Sequence, residues 1–523
     1  MQKKFYFSSI FLLLLSFILN AQDGTLDLSF NSTGKVLTSI GTFDESGFAV
    51  TVKEDKLNPS NYLSRRIVVA GQTYNGSGNY DFMVARYNDD GSLDNTFGGT
   101  GVVTTDFSNY DDKARAVLIQ DDGKIVVGGF STNGSQVTFA LLRLKSNGTL
   151  DSTFGTNGKV TTAIGSKDDN ILSMSLQNDG KIVAAGYSDN GNNLDFAVAR
   201  YDVSGNLDAT FDTDGKVTTS LGSGADVAYG VVIQNDGKIV LGGHSFQSTN
   251  QDFALVRYNS NGSLDNTFDG DGKVTTAING THNEYAFSLD INSAGKLILA
   301  GYSANTYVDF VLTQYDNTGA LDVSFGNNGI VYTDFGTLTD YAQATTVLVQ
   351  SNDKILVGGY QNDGAKLNYA LVRYKVSGAV DSTFGTNGIV TTDFSGNDDE
   401  GMSLALQNDG KILLAGGSHD GNKKHFAIAR YENSITASVF EFIEQSAQIY
   451  PNPFSSLATV ITDFNLYNAK VEVYNVMGEK LMQLNNVSGN SFQIQGENWA
   501  KGIYMLNTIQ ENGNVIRALL VLN

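Results

Sequence analysis

The stretch LDNTFGGTGVVTT, Leu93 to Thr105, returns in recognisable copies along most of the 523-residue chain. The copies centre on Phe30, Phe97, Phe154, Phe211, Phe268, Phe325 and Phe384, at successive spacings of 67, 57, 57, 57, 57 and 59 residues. A near-constant period of this length marks a repeat architecture, in which each unit buries its apolar face against the next.

Within each period a weakly patterned apolar stretch, such as Ala114–Gln120, ends in a turn. That turn is Asp-Asp-Gly-Lys at 121–124, Asn-Asp-Gly-Lys at 178–181, 235–238 and 408–411, with variants at 293–296 and 351–354. Asp-Gly between apolar runs signals a hairpin, because Gly accepts positive φ without steric penalty. The run beyond it, as in Ile125–Gly129 and Ile239–Gly243, reads as a strand buried on both faces. An alternating strand of consensus FALARY follows at 82–87, 139–144, 196–201, 253–258, 310–315, 369–374 and 426–431. A Gly-containing turn, the Leu-Asp-x-Thr/Ser-Phe motif and a short run such as Lys159–Thr162 complete the period. Four short strands per unit and no amphipathic helix predict an all-β chain with a seven-bladed β-propeller of four-stranded blades over residues 22–431. A β-solenoid needs far fewer residues per coil.

The order of signatures also predicts how the ring closes. The last unit stops at Tyr431 without a fourth strand, and the first motif, Leu26–Ser39, precedes any blade. The N-terminal strand at 34–39 is therefore expected to complete the last blade. The Arg of FALARY and the Asp of the Phe motif stand eight residues apart in Arg86 and Asp94, Arg143 and Asp151, Arg200 and Asp208, Arg257 and Asp265, and Arg373 and Asp381. Gln314 with Asp322 is a neutral exception. Such regular recurrence favours a structural pair within each blade over an anion site. Arg430 has no downstream partner and Asp27 no upstream one, so these two are predicted to pair.

At LDxTFGxxGKVxT, QxDGKIVVGG and FALARY the chain resembles the bacterial delta-60 repeat family, over about residues 23 to 432. That family has no agreed biochemical activity, so the resemblance implies a scaffold rather than a reaction. Local departures are an insertion around Glu54 to Arg66 and Ala294 and Gln314 at otherwise regular positions.

The two ends give a route. Met1–Ala21 carries Lys3 and Lys4, an apolar run from Phe5 to Leu19 and a polar boundary before Gln22, the pattern of a secretory signal peptide. After a linker at 432–447, the segment 448–523 shows Tyr450-Pro451-Asn452-Pro453, Val471–Val476, Gly478-Glu479-Lys480, Gly502-Ile503-Tyr504 and a terminal apolar run. Its short alternating strands suggest a small β-sandwich. At those residues it resembles the type A C-terminal sorting domain of the Bacteroidetes type IX secretion system. The resemblance implies periplasmic transit, passage through the outer membrane, and then release or attachment at the cell surface, with the secretion machinery as partner.

A net charge of -21 argues against nucleic acid or an anionic membrane as partner, and no later run is long and apolar enough to span a membrane. Cysteine is absent, which excludes disulfides, thiolate metal sites and cysteine nucleophiles. No HExxH, GxSxG or Walker pattern occurs, and no catalytic residue is assigned. His419 and His425 read as exposed loop residues rather than a zinc pair, and Asp212, Asp214, Asp269 and Asp271 as turn carboxylates lacking the rest of a calcium loop. More regular are Glu45, Asp112, Asp169, Asp226, Glu284, Asp340 and Asp399, fifteen or sixteen residues after each motif Phe and just before the first strand of each blade. In one reading they accept backbone N–H bonds and fix a turn; in the other they ring one channel mouth and attract a cation such as Ca²⁺. The metal is left open. The expected function is that of a secreted or cell-surface interaction protein for a glycan or protein ligand, the alternative being a polysaccharide hydrolase or lyase on the same scaffold.

Overall fold

The computed structural model describes residues 22–53, 65–280, 282–304, 308–336, 341–434, 447–475, 480–496, 499–509 and 515–522. The expected signal peptide, nearly all of the Glu54–Arg66 insertion, most of the linker, and Asp340 lie outside them. The chain divides into two compact units, Met1–Ile435 and Thr436–Asn523.

The first unit is a propeller of seven four-stranded antiparallel sheets. In the first blade the strands are Glu45–Lys53, Arg66–Tyr74, Tyr80–Tyr87 and Val102–Thr105, hydrogen-bonded in chain order from the innermost outward. The next five blades repeat this pattern. The last is composite: Asp399–Leu406, Ile412–His419 and Lys424–Tyr431 are followed by the N-terminal strand Lys35–Thr38, which pairs Lys35 with Ala429 and Thr38 with Phe426.

The second and third strands of each blade are almost wholly buried, which accounts for their near-continuous apolar sequence. Blades are fastened to one another by the Phe motif. Phe97 is buried in a cluster that joins Val68, Ala70 and Val84 of one blade to Val117, Ile125 and Leu142 of the next. The residue after the motif Phe donates its N–H across the same junction, as Gly98 does to Asn147 O at 2.9 Å and Asp212 to Asn261 O at 2.8 Å.

The FALARY arginine makes three contacts at once. Its Nε lies 2.6–2.9 Å from the motif aspartate in the pairs Arg86–Asp94, Arg143–Asp151, Arg200–Asp208, Arg257–Asp265, Arg373–Asp381 and Arg430–Asp27. Its guanidinium carbon stands 4.4–4.7 Å from the centroid of the motif Phe. Its Nη1 donates to the following blade: Arg143 to Val203 O at 2.5 Å, Arg200 to Ser260 O at 2.6 Å, Arg257 to Asn317 O at 2.7 Å and Arg430 to Asp89 O at 2.5 Å. The pair is thus within a blade while the guanidinium also bridges two blades. The turn lysine also reaches the motif aspartate, as Lys354 does Asp381 at 2.9 Å, and where Gln314 replaces Arg this contact, Lys296 Nζ to Asp322 at 2.5 Å, remains. The terminal FALARY tyrosine adds a hydroxyl bond to the preceding blade's fourth strand, Tyr87 to Thr38 at 2.7 Å and Tyr258 to Thr219 at 2.6 Å.

In the second unit Ala447–Tyr450, Leu457–Asn475, Lys480–Gln495, Gly502–Ile509 and Val515–Leu522 form one five-stranded antiparallel sheet. Its core gathers Phe454, Val460, Val471, Val473, Ile494, Tyr504 and Leu520.

Asp27 and Arg430 are both about 2% exposed, and removing Asp27 takes the nearest counter-ion from the buried Arg430, leaving it Asp89 at 3.1 Å. Asp27→Ala is expected to cost about 3 kcal/mol, measured by urea unfolding of the full chain. An unchanged midpoint would show that Lys35–Thr38 holds the ring closed without the ion pair.

Candidate binding channel

The regularly spaced carboxylates open the first strand in five blades and stand second, as Glu284, in another, but the structure does not display them at a channel mouth. Glu45, Asp112, Asp169, Asp226, Glu284 and Asp399 are all buried, at 0–1% exposure; Asp340 is outside the described residues. They accept N–H bonds from the turn just before the strand: Ile40 and Gly41 donate to Glu45, Phe107 to Asp112, Ile164 to Asp169, Leu221 to Asp226, Asn279 to Glu284 and Phe394 to Asp399, at 2.7–3.2 Å. Burial pushes Asp112 and Asp399 up to about 6, with Asp106 and Asp81 adding to it at Asp112. Burial and the neighbouring Asp252 push Glu284 up to about 7. Their physical work is to fix backbone, and six oxygen-bearing groups so enclosed do not form an open cation funnel.

What faces the channel is set two residues or more further on. The first strand of every blade slips register once against the second, between Gly47 and Ala49, Ala114 and Ala116, Ile171 and Ser173, Ala228 and Gly230, Ala286 and Ser288, Ala344 and Thr346, and Gly401 and Ser403. Such a bulge leaves one residue unpaired and re-aims its side chain. It also explains the second glycine of KIVVGG. A Cβ on Gly186 would sit 1.8 Å from Asn170 O, and one on Gly243 2.0 Å from Val227 O, so only glycine allows the strands to approach this closely.

The seven bulged residues, Phe48, Arg115, Leu172, Tyr229, Phe287, Thr345 and Met402, all line one central cavity of about 580 Å³. Asn170, Tyr187, Gln343 and Tyr360 join them from neighbouring positions. Tyr229 packs edge-on against Phe287 at 4.8 Å and stacks on His244 at 5.4 Å, and Phe287 stacks on Tyr302 at 5.7 Å. These contacts make a rigid aromatic wall across two blades. Burial raises the phenol of Tyr229 and lowers His244 to about 4, so at neutral pH both are uncharged. Tyr360 OH donates to Gln343 Oε1, fixing that amide. Among the described residues no Asp or Glu lines the cavity.

A family profile described as a domain of unknown function (DUF5122) β-propeller matches seven segments, 65–97, 120–154, 177–211, 234–268, 295–325, 350–384 and 407–434. The chain belongs to the DUF5122 β-propeller family. A second profile, the secretion system C-terminal sorting domain, matches residues 448–522, which marks this DUF5122 protein for export to the cell surface or beyond by the type IX secretion system. No curated protein matches the chain. Among solved structures, a protein of unknown function from Dyadobacter fermentans is similar at 13% identity, covering 76% of this chain and 98% of that one, with a TM-score of 0.39. A Lactobacillus plantarum protein is similar at 11% identity over 82% of this chain and 99% of its own, with a TM-score of 0.42. The polysaccharide lyase Uly1 is similar at 12% identity over 76% and 91%, with a TM-score of 0.41. Scores this low place no activity on the DUF5122 chain. No helix among the described residues is long and apolar enough to cross a membrane.

Elsewhere in the DUF5122 propeller, Asp81, Asp106 and Asp112 bring one oxygen each within 4.8 Å of one another, the arrangement among the described residues that a divalent cation would find most favourable. The other acids noted in the sequence serve their own turns, Asp214 accepting from Lys216 N and Asp271 from Lys273 N at 3.0 Å. His425 Nε2 contacts Asp420 at 2.8 Å while His419 Nδ1 accepts from Gly421 N, so the two histidines have separate partners.

Two outcomes follow. Gly243→Ala is expected to destabilise by about 3 kcal/mol through the enforced clash, read by urea unfolding; an unchanged midpoint would mean the bulge slides at no cost. For pH, the folded state keeps protons on Glu284, Asp112 and Asp399 that the unfolded chain has already released, so stability falls as pH rises from about 4 to 7. Glu284→Gln should remove part of that slope, adding on the order of 2 kcal/mol at pH 7.5 and nothing near pH 4. Equal gains at both pH values would contradict it.

Proposed function

We propose that this DUF5122 protein is an extracellular binding protein, secreted or surface-attached after removal of residues 1–21, and that its central channel receives the ligand. The observation that carries this reading is the bulged position. Nearly every structural position of the blade repeats with the same residue or a close relative, whereas the seven channel-facing bulges carry Phe, Arg, Leu, Tyr, Phe, Thr and Met. A position held in constant geometry and varied in chemistry is where a scaffold acquires specificity. A cavity of about 580 Å³ with an aromatic wall and a few fixed polar groups has the make-up of a small-ligand or glycan-end site. Side chains that merely filled the ring would have closed it.

The mature chain from Gln22 should bind members of a glycan and small-ligand panel, with Tyr229→Ala and Phe287→Ala each weakening affinity about tenfold or more. Calorimetric titration gives the affinities. A ligand held equally well by both variants would move the binding surface to the outer loops. Deleting 448–523 in a host with type IX secretion should leave the propeller in the periplasm, detected by fractionation; normal surface delivery would refute the tail as the address.

A further inference from the structure

The chemistry of the channel narrows the ligand further, granted that the channel is the binding site. The chain has 55 acidic against 34 basic residues, yet among the described residues the one charged side chain lining the cavity is a cation, Arg115. Its setting differs from that of the FALARY arginines, each held by its motif aspartate and by a further oxygen acceptor at Nη1. Arg115 Nε is buried without a hydrogen-bond acceptor among the described residues. The guanidinium carbon stands 4.1 Å from the Phe48 ring, a contact that orients the plane but satisfies no N–H. A guanidinium stays protonated in a protein, so a desolvated one with free donors calls for an anion, and planar two-oxygen groups suit it best.

A second unsatisfied group lies on the adjacent blade. Asn170, 7% exposed and also lining the cavity, has an Oδ1 with no hydrogen-bond donor. A buried acceptor left unpaired costs free energy that a ligand hydroxyl would recover. Tyr229 and Phe287 supply the apolar wall for a ring face, and Tyr187, Tyr360 and Gln343 line the same cavity.

We propose that the channel binds an acidic saccharide, its carboxylate or sulfate ester on Arg115, a ring hydroxyl donating to Asn170 Oδ1 and its apolar face on the Tyr229–Phe287 wall. Neutral sugars lack the group that Arg115 requires. Aromatic acids lack the hydroxyl that Asn170 requires.

The test is calorimetric titration of the full mature chain with four probes: oligogalacturonate, its carboxyl-reduced form, a sulfated galactan oligosaccharide and its desulfated form. At least one acidic probe should bind about tenfold or more tightly than its neutral counterpart, and which one does distinguishes carboxylate from sulfate. Arg115→Met should erase that preference, acidic and neutral probes then binding alike, while leaving the thermal midpoint near wild type. Arg115→Lys should keep part of it, and provides the comparison should the Met variant fold poorly. Asn170→Ala should weaken all saccharide probes alike. Equal binding of acidic and neutral probes, no binding of either acidic probe, or a preference untouched at Arg115 overturns the acidic assignment. If neutral binding still responds to Tyr229→Ala, the channel reading survives that loss; binding indifferent to both Tyr229 and Arg115 removes the channel reading as well.

Discussion

A buried guanidinium shared between a carboxylate of its own blade and a carbonyl of the next is the interaction on which this ring depends. Charges in that position are worth little unless every donor is used, because desolvation opposes the ion pair. Arg257 uses Nε on Asp265, Nη1 on Asn317 O and Nη2 on Thr267 Oγ1, with Phe268 under its plane. Geometry so fully specified tolerates no rotation of one blade against its neighbour. Against the cost of burial, bonds from Thr267 and Lys238 and the charge of Arg257 hold Asp265 down to about 2, so the staple stays ionised over the ordinary pH range.

Fixing the blades from outside leaves the inner strands free to carry difference. The bulge and its opposing glycine recur in every blade, and each aims one side chain at the axis. Structure and specificity are thereby carried by different strands: the staples sit on the third strand of each blade, the varied residues on the first. The buried carboxylates belong with the staples, since they fix the turn from which each inner strand sets out.

The blade count and strand order were legible because a 57-residue period with Asp-Gly turns admits few alternatives. Asp27 and Arg430 were conspicuous as the two members of an otherwise regular pairing left without partners in sequence, and their atoms meet at 2.6 Å. The channel was not legible in the same way. Arg115 sits between Ala114 and Ala116 in a stretch whose alternation is broken by the bulge, so periodicity gives no sign of where it points. The paired glycines of KIVVGG did hold a signal, since glycine inside a strand marks a bulge or close backbone approach, but continuous apolar neighbours masked it. The spacing picks out the carboxylates; whether their oxygens face solvent or backbone amides depends on turn geometry that spacing alone does not encode.

The composite seventh blade has a consequence in time. Its fourth strand is the first part of the propeller to be synthesised and its inner three are the last, so closure waits until nearly all of the propeller has emerged. Until then the strand Lys35–Thr38 lacks its partner, and its backbone groups are open to any extended strand nearby. The latch is thus available only once the sequence between its halves is complete.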